Sequence, residues 1–500
     1  MIKNILDCFE NSCRLFPDKI AFSDENKSVT YSEALFISKA IGTFIAGKKV
    51  SNRAVIVAVD KSVDALLSYL GVVYSGNFYV PVDVKSPDER ILKIMEVVSP
   101  CLVISSAKEY DRAQKWDSIC EVVCYDDIDP GVIDDDLLSE LRCRSIDTDP
   151  VYALFTSGST GIPKGVVCCH RSVLSYSEWL IDTFGFNEST IFGNQTPFYF
   201  SMSVLDIYAS IRAGAELNVI PKSLFSFPLS LVEHLNKKKI DTIYWVPTAL
   251  CSLTNKGFLD RVELPYLKKV LFAGELMPMK HLNIWRKNLP DALFANLFGP
   301  TEITDIGIYY IVDREFDDNE TLPIGKACEN VGVLVLDEDN KPIYDDRVGE
   351  LCIRGSFLAL GYYNNEQKTS ESFIQNPLNN SYPDIIYRTG DLVSINERNE
   401  YVFHGRKDHQ IKHTGHRIEL GEIETAVSAI EGVMINACIH RERDDKLLLY
   451  YTGETDEDTI RKKLVMLLPS YMIPNEYHKL SQMPLNMNGK IDRKKLKSEC

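Results

Sequence analysis

Over the first 310 residues or so, strand-like apolar runs alternate with amphipathic stretches that have helical spacing. The strand-like runs occupy residues 53–59, 78–83, 101–106, 151–155, 241–246 and 268–274. Helical patterns lie between them, for example at 62–76 and 172–185. Such alternation is typical of α/β architecture with largely parallel sheets. The first three fifths of the chain are therefore predicted to be α/β.

After this region the pattern changes twice. From about 323 to 404 the sequence consists of short strands and turns, which predicts a small and mainly antiparallel β subdomain. Residues 420–433 place Leu420, Ile423, Val427 and Ile430 on one helical face. Two further strand-like runs and a helix around 457–468 follow, so a compact α+β domain is predicted for the last ninety residues or so. The polar segment GRKDHQ at 405–410 is a plausible hinge between these regions.

Composition excludes several classes of function. The 500 residues carry a formal net charge of -16, and such a protein is repelled by nucleic acids and by anionic membrane surfaces. No apolar run approaches the ~20 residues of a membrane-spanning helix, and the first residues lack a signal-peptide pattern. The 13 cysteines are an odd number without metal-ligand spacing, which predicts reduced thiols rather than a disulfide framework. We expect a cytoplasmic enzyme with no nucleic-acid or membrane partner.

The strongest local motif is LFTSGSTGIPKGV at 154–166. It follows a strand-like run, precedes a helical pattern, and combines glycines with hydroxyl side chains and Lys164. Such a loop can wrap phosphate oxygens, because glycine lets the backbone come close and adopt positive φ. The spacing is not that of a Walker A motif. Taken alone, the segment could also be a flexible connection.

Seven further motifs accompany this loop in a fixed order. They are VTYSEAL (29–35), SGNFYVPVD (75–83), NLFGPTE (296–302), GELCIRG (349–355), YRTGD (387–391), GRKDHQIKHTGHRIELGEIE (405–424) and PLNMNGKIDRKKL (484–496). Together they resemble the adenylate-forming (ANL) superfamily, which contains acyl-CoA synthetases, luciferases and the adenylation domains of nonribosomal peptide synthetases. The resemblance extends over nearly the whole chain.

The resemblance implies a specific domain organisation. Residues 1–404 would form an N-terminal adenylation core of two parallel-sheet α/β subdomains and a small β-barrel, the β subdomain covering about 310–404. Residues 405–408 would be the hinge, with Asp408 at its pivot, and 409–500 a small mobile α+β C-terminal domain. In this family the C-terminal domain swings after adenylation, so that two reactions use one pocket in turn.

The resemblance also implies the chemistry. A substrate carboxylate would attack the α-phosphorus of ATP, pyrophosphate would leave, and catalysis would consist mainly of positioning and charge neutralisation. Glu302 would bind Mg²⁺, Thr301 would contact phosphate, and Lys490 would bond both the attacking carboxylate and the α-phosphate. After the swing, Lys412 would come toward the site with its neighbours. The family positions for ATP or AMP are Thr156, Ser157, Gly158, Ser159, Thr160, Lys164, Gly274, Glu275, Asn296, Phe298, Gly299, Asp391 and Arg406.

The details of the motifs indicate the acceptor. HRIELGEIE, FAGELMP and PLNMNGKIDRKKL are similar to peptide-synthetase adenylation domains and to D-alanine:carrier-protein ligases. Only ten residues follow Lys490, so the expected acceptor is the phosphopantetheine thiol of a separate carrier protein. One alternative is a ligase that acylates free coenzyme A. Another is an inactive protein that only binds a carrier protein.

The substrate pocket departs from the amino-acid pattern at Ser201, where α-amino-acid activators carry the Asp that pairs with the substrate's ammonium group. A buried ammonium without an anion costs several kcal/mol, and Asp206 does not compensate because relatives also carry an acid there. We therefore expect a small acid without a conventional α-amino group. Asp305 could bind an amine displaced from the α-carbon, or Tyr244 and Ser201 could hydrogen-bond a hydroxy or aryl acid. The pocket positions are Phe200, Ser201, Met202, Leu205, Tyr244, Leu271, Ala273, Leu297, Asp305 and Ile306.

Overall fold

The computed structural model of the chain describes residues 2–158, 162–407, 410–413, 415–484 and 491–498. The chain divides into two compact units. The core unit comprises Met1–Val82, Ser99–Leu154 and Val166–Lys407. The tail unit comprises Asp83–Val98, Phe155–Gly165 and Asp408–Cys500. Each unit is described below by itself.

Within the described residues there are fifteen α-helices. In chain order they are Ile5–Leu15 (α1), Tyr31–Ala46 (α2), Val63–Tyr74 (α3), Asp88–Val98 (α4), Ala107–Ala113 (α5), Asp135–Arg144 (α6), His170–Phe184 (α7), Ser203–Ala213 (α8), Pro228–Lys237 (α9), Pro247–Thr254 (α10), Met279–Asn288 (α11), Glu366–Ser372 (α12), Leu420–Ser428 (α13), Glu457–Leu467 (α14) and Arg493–Ser498 (α15).

The described strands number twenty-six. They are Ile20–Ser23 (β1), Ser28–Thr30 (β2), Ala54–Ala58 (β3), Phe78–Pro81 (β4), Leu102–Ser105 (β5), Val122–Cys124 (β6), Pro150–Thr156 (β7), Lys164–Cys169 (β8), Ile191–Asn194 (β9), Glu216–Val219 (β10), Thr242–Trp245 (β11), Lys269–Phe272 (β12), Leu293–Phe298 (β13), Ile308–Ile311 (β14), Lys326–Ala327 (β15), Val331–Leu336 (β16), Gly349–Gly355 (β17), Gly361–Tyr362 (β18), Phe373–Gln375 (β19), Ile385–Ile395 (β20), Tyr401–Arg406 (β21), Gln410–His413 (β22), His416–Glu419 (β23), Val433–Arg441 (β24), Lys446–Gly453 (β25) and Glu476–Lys479 (β26).

Two large sheets with parallel centres organise the first 330 residues. One has nine strands in the order β15-β14-β13-β12-β11-β9-β10-β1-β2, and the run from β13 to β1 is parallel. The other has seven strands in the order β18-β8-β7-β4-β3-β5-β6, in which β4, β3, β5 and β6 are parallel neighbours. All six strand-like runs predicted from the sequence are strands of these sheets, with ends that differ from the prediction by up to two residues. The α/β prediction is confirmed.

Several of these strands are buried along their whole length because parallel sheets are covered on both faces. Every residue of β3, β4, β5 and β11 is buried, which explains why the sequence shows continuous apolar runs there instead of alternation. The predicted helical stretches form α3 and α7. Helix α7 ends at Gly185, whose φ of 61° is a left-handed conformation that favours glycine.

A smaller antiparallel sheet follows, with the order β16-β17-β20-β19 and with β21 paired to β20. The β subdomain was predicted to cover about 310–404. The observed small sheet extends from Val331 to Arg406, because β14 and β15 belong to the nine-stranded sheet. Its side chains Leu351, Tyr387 and Val393 form an apolar cluster with Phe298 and Ile308 of the nine-stranded sheet.

The tail unit is α+β, as predicted. Strands β22 and β23 form a hairpin, and β24, β25 and β26 form a three-stranded sheet. Helix α13 covers only the first part of the predicted 420–433 segment. The predicted apolar face is observed: Leu420, Ile423, Val427 and Ile430 all lie in the core of this unit.

Among the described residues, no helix is both long enough and apolar enough to cross a membrane. The cysteines in the same part of the chain are all free thiols, and most of them are buried. This agrees with the prediction of reduced cysteines.

Candidate active site

A short turn after β13 carries Thr301 and Glu302. Glu302 is completely buried, and the hydroxyl of Tyr362 donates a hydrogen bond of 2.7 Å to its Oε1. The amide of Ala359 donates to the Glu302 carbonyl at 2.9 Å, so both the side chain and the backbone of Glu302 are fixed. Thr301 Oγ1 donates to Ser201 Oγ at 3.3 Å, which places the turn beside the substrate-pocket position that departs from the amino-acid pattern.

Gly299 precedes this turn at a place where no side chain fits. A Cβ atom there would lie 2.3 Å from the carbonyl oxygen of Asp305, and an intact backbone cannot accommodate that contact. The missing side chain at Gly299 therefore allows the backbone of Asp305 to pack directly against residue 299. Thr304 lies between them with a φ of 73°, a strained conformation for a β-branched residue and one found at functional sites.

A second pair of predicted residues meets across two antiparallel strands. Asp391 on β20 is the register partner of Arg406 on β21. Arg406 Nη1 donates to Asp391 Oδ1 at 2.5 Å, and Nη2 donates to the Thr389 carbonyl at 2.9 Å. The pair is largely buried, so the guanidinium group holds the carboxylate in one orientation.

Asn296 and Phe298 lie at the end of β13. The amide of Asn296 donates to the carbonyl of Pro323 at 2.9 Å. The ring of Phe298 is 5.6 Å from that of Phe403 and packs in the apolar cluster of the small sheet. In this structure both side chains therefore have internal partners.

Gly274 and Glu275 follow β12. Gly274 has a φ of 90°, and Glu275 Oε2 accepts from the amide and hydroxyl of Thr248 at 2.8 and 2.6 Å. Glu275 Oε1 is buried and has no hydrogen-bond partner among the described residues. A buried carboxylate oxygen of this kind is suited to accept a hydrogen bond from a ligand.

Asp305 is a buried carboxyl group in an otherwise apolar surrounding. It is only 1% exposed, and its Oδ2 accepts from the hydroxyls of Tyr176 at 2.9 Å and Tyr244 at 3.1 Å. Burial, together with the neighbouring Asp305, raises the pKa of both tyrosines well above the ordinary value, so both remain hydrogen-bond donors. The buried pocket positions in the same unit are Met202, Leu205, Leu271, Ala273, Leu297 and Ile306.

Ser201 and Phe200 are half-buried at the start of α8, whereas Asp206 is completely buried within that helix. Asp206 Oδ2 accepts from the amide of Asn194 at 2.8 Å, and burial raises the pKa of Asp206 to about 7. Asp206 Oδ1 is buried without a hydrogen-bond partner among the described residues. That Asp206 does not replace the missing Asp at position 201 remains a prediction.

The glycine-rich loop belongs to the tail unit. Ser157 Oγ accepts from the amide of Glu419 at 3.0 Å and donates to the carbonyl of Arg417 at 2.9 Å. Lys164 Nζ lies 3.3 Å from Glu419 Oε1. The side-chain oxygen of Thr156 is buried without a hydrogen-bond partner among the described residues. The polar groups of the loop therefore bind polar groups of β23.

Two more contacts anchor this loop within the tail unit. The Gly158 amide donates to Glu422 Oε2 at 3.2 Å, and Arg90 Nη1 donates to Glu422 Oε1 at 2.5 Å. The Arg90 and Glu422 side chains are only 8% and 2% exposed. Lys412 lies half-buried in the β22–β23 hairpin, opposite Arg417.

Comparison with known proteins shows the family of this chain. The profile of the AMP-binding enzyme family matches residues 9–363. The chain belongs to this family. Zwittermicin A synthase ZmaJ of Bacillus cereus is 31% identical over 98% of this chain and 93% of its own length. D-alanine–D-alanyl carrier protein ligase of Bacillus cytotoxicus is 31% identical, with 99% of both chains covered.

A solved structure supports the fold of this AMP-binding enzyme. The adenylation domain AlmE of Vibrio cholerae, in complex with glycyl-adenosine-5'-phosphate, superposes with a TM-score of 0.86 at 21% identity, covering 100% of this chain and 98% of that one. At this level of identity the match concerns the fold alone.

The structure brings some of the predicted site residues into contact within one unit. In the core unit of this AMP-binding enzyme, Thr301 contacts Ser201, Asp391 contacts Arg406, and Tyr244 contacts Asp305. Thr156, Ser157, Gly158, Lys164 and Lys412 belong to the tail unit. The predictions for Ser159, Thr160, Asp408 and Lys490 fall outside the described residues.

Sequence reasoning missed four residues that hold the site. Tyr362 binds Glu302, Tyr176 binds Asp305, and Arg90 with Glu422 fixes the glycine-rich loop. Glu422 stands inside a motif that was recognised, so its importance was partly visible. Tyr176 and Arg90 lie on ordinary amphipathic helices, and only tertiary structure brings them to their partners.

Proposed function

We propose that this AMP-binding enzyme activates a small carboxylic acid with ATP, releases pyrophosphate, and transfers the acyl group to the phosphopantetheine thiol of a separate carrier protein. The observation that carries the proposal is the Thr301–Glu302 turn, fixed by Tyr362 and in contact with Ser201. A phosphate-binding hydroxyl, a buried carboxylate and the acid pocket are thereby neighbours. The carrier-protein ligase among the relatives supports the acceptor.

The residues present fit Mg²⁺. A carboxylate and a hydroxyl are hard oxygen ligands, and Mg²⁺ binds through one or two carboxylates together with substrate phosphates. Glu302 would hold the ion, which supplies charge neutralisation on the phosphates when bound. Thr301 would position a phosphate oxygen beside it. A substrate carboxylate oxygen then forms the bond to the α-phosphorus, the bond to the β-phosphate oxygen breaks, and pyrophosphate leaves.

The remaining roles in this proposal follow the family pattern. Asp391 would accept hydrogen bonds from the ribose hydroxyls, and Arg406 would hold that carboxylate in place. Lys490 would serve the adenylation step, and the segment around Lys412 the thioester step. A rotation of the C-terminal domain about Asp408 would remove Lys490 from the site and bring the segment around Lys412 to it.

Replacing Glu302 by glutamine should lower the rate of pyrophosphate exchange by roughly 100-fold or more, because the neutral amide keeps the Tyr362 hydrogen bond but loses the charge that binds Mg²⁺. The concentration of Mg²⁺ needed for half-maximal exchange should rise as well. Tyr362→Phe is the matched control, since it retains the carboxylate and should lose much less activity. Normal Mg²⁺ dependence in Glu302→Gln would remove the metal role from this residue.

The acceptor is tested by the thioester product. We expect acylation of a phosphopantetheinylated carrier protein in trans to exceed acylation of free coenzyme A at equal concentrations. A preference for coenzyme A would replace the proposal by the acyl-CoA ligase alternative. Formation of neither adenylate nor thioester with any acid would favour an inactive carrier-binding protein.

We further propose that the substrate carries an amine displaced from its α-carbon, as in a β-amino acid. Ser201 has no negative charge with which to bind an α-ammonium, and its oxygen accepts from Thr301. Asp305 is a carboxyl group in an apolar pocket, where two neutral tyrosine hydroxyls stabilise a negative charge less than a cation does. A substrate ammonium at Asp305 would add that cation.

Asp305→Asn tests this substrate class. With an amine-displaced acid, kcat/KM should fall by about 100-fold or more, because the ammonium group loses its buried counterion. With a hydroxy or aryl acid of similar size, the same substitution should have little effect. Asp182→Asn, an exposed position on the same helix as Tyr176, is the control. Equal losses for charged and uncharged acids would assign Asp305 a purely structural role.

The cytoplasmic location predicted from the sequence remains a prediction.

A further inference from the structure

Two histidines and an aspartate converge in the tail unit, and none of the three has been assigned a chemical role above. His413 is the last residue of β22, His440 lies near the end of β24, and Asp445 lies in the turn between β24 and β25. His413 Nδ1 is 2.9 Å and His440 Nε2 is 2.6 Å from the same atom, Asp445 Oδ1. All three candidate ligand atoms lie within 4.8 Å of one another.

The two histidines of this cluster are largely buried, and the aspartate is partly exposed. His413 and His440 have side chains only 7% and 12% exposed, whereas Asp445 is 38% exposed. Their rings are 5.9 Å apart at 74°, so the two nitrogens approach the carboxylate from different directions. Asp445 has a φ of 49°, a left-handed conformation that is uncommon outside glycine and that aims its carboxylate at both rings.

Two basic side chains near Asp445 form ion pairs with other carboxylates. Arg441 pairs with Asp444 and Glu476, and Lys446 pairs with Glu476. Arg441 and Lys446 are thus engaged with other carboxylates. The Asp445 carboxylate is in contact with both imidazoles.

The spacing suits a divalent transition metal. Zinc binds imidazole nitrogen at about 2.0–2.1 Å and carboxylate oxygen at about 2.0–2.2 Å, which separates tetrahedral ligand atoms by roughly 3.3 Å. The observed separations, from 2.6 Å to at most 4.8 Å, differ from that value by roughly 1.5 Å or less. Imidazole favours Zn²⁺, Cu²⁺, Fe²⁺ and Ni²⁺, whereas Mg²⁺ favours oxygen ligands only. The partial exposure of Asp445 provides access and room for a water ligand.

We propose that His413, His440 and Asp445 form a binding site for a divalent transition metal of the zinc class, distinct from the Mg²⁺ position at Glu302. The bound ion would join the β22–β23 hairpin to the turn after β24. Because Lys412 is next to His413, the ion would also fix the hairpin that carries Lys412. The proposal does not depend on the proposed catalytic function.

The test uses the full-length chain, stripped with a chelator and kept in a large excess of Mg²⁺ without nucleotide, so that Mg²⁺ competes with Zn²⁺ for sites made of oxygen ligands. Zn²⁺ titration by calorimetry should show one saturable equivalent, and the bound ion should raise the melting temperature of the tail unit. His413→Gln, His440→Gln and Asp445→Asn should each weaken binding at least roughly 100-fold, beyond the 10–100-fold loss typical of residues that only support a ligand.

His478→Gln is the matched control, because His478 is a histidine on β26 of the same unit with a side chain 40% exposed. It should bind Zn²⁺ as the unmodified chain does. Melting in the presence of chelator verifies that the three ligand variants are folded. X-ray absorption of the zinc-loaded unmodified chain needs no variant and should show two imidazoles per zinc.

Three results would overturn the proposal. They are the lack of a saturable zinc equivalent under excess Mg²⁺, unchanged affinity in any of the three ligand variants, and sulfur in the zinc coordination shell, which would point to one of the free cysteines.

Discussion

Lys490→Ala is expected to lower pyrophosphate exchange by about 100- to 1,000-fold, the loss typical when one charged or hydrogen-bonding group of a transition state is removed. In the proposed reaction an anionic carboxylate approaches an anionic phosphate. An ammonium group that bonds to both stabilises the transition state more than it stabilises the separated reactants. The measurement is exchange of labelled pyrophosphate into ATP with the best acid.

Lys497→Ala is the control for that experiment. Lys497 lies on α15 near the same end of the chain, is 57% exposed, and is 3.7 Å from Glu442, so its loss should change exchange very little. Transfer from a chemically supplied acyl-adenylate to the carrier should remain in Lys490→Ala, because the proposal assigns Lys490 to the first step alone. Full exchange activity in Lys490→Ala would contradict its assigned role.

Arg90→Met is expected to destabilise the tail unit by about 3–5 kcal/mol, because it leaves the buried carboxylate of Glu422 without its cation. Glu422 also accepts the amide of Gly158, so the glycine-rich loop should lose part of its anchorage. The chain has two units and need not unfold in one step. Amide hydrogen exchange in α13, β24 and β25 is therefore the appropriate measurement.

Two further variants make this prediction specific. The double variant Arg90→Met with Glu422→Leu should recover much of the lost protection, because an apolar pair can replace a buried ion pair at little cost. Arg171→Ala removes an exposed pair with Asp147, whose side chains are 53% and 41% exposed, and should cost no more than about 1 kcal/mol. A change below about 1 kcal/mol in Arg90→Met would show that the buried pair does not stabilise the unit.

Much of the fold was predictable because the sequence patterns that specify its strands and helices are local. Fully buried strands such as β3 and β11 require continuous apolar runs, and helices such as α3 require apolar residues at helical spacing. Both patterns are visible without knowledge of the partners. The end of α13 was less predictable: the apolar spacing continues to Ile430 although the helix ends at Ser428, since residues after a helix can still contribute to the core.

Site residues could be predicted where they lie in continuous motifs. Glu302, Thr301, Asp391 and Arg406 were predicted in this way, and their roles remain predictions. Tyr176 and Tyr362 were not, because their roles depend on contacts with residues 129 and 60 positions away. The His413–His440–Asp445 cluster was missed for the same reason: its members are single residues on different strands and turns, with no ligand spacing in the sequence.

In the proposed reaction, substrate selection would depend on the charges at two pocket positions. Ser201 offers no carboxylate to an α-ammonium group, and the buried carboxyl group of Asp305 would bind a cation elsewhere in the pocket. Specificity would then arise because the wrong acid would leave a charged group unpaired in a buried site.

Pyrophosphate exchange with the unmodified chain across a panel of acids tests the central claim most directly. The panel should contain D- and L-alanine, β-amino acids, hydroxy acids and aryl acids of similar size. The account predicts ATP-dependent exchange that is fastest with an acid whose amine is displaced from the α-carbon. Faster exchange with D- or L-alanine would contradict the substrate assignment, and no exchange with any acid would contradict adenylate formation itself.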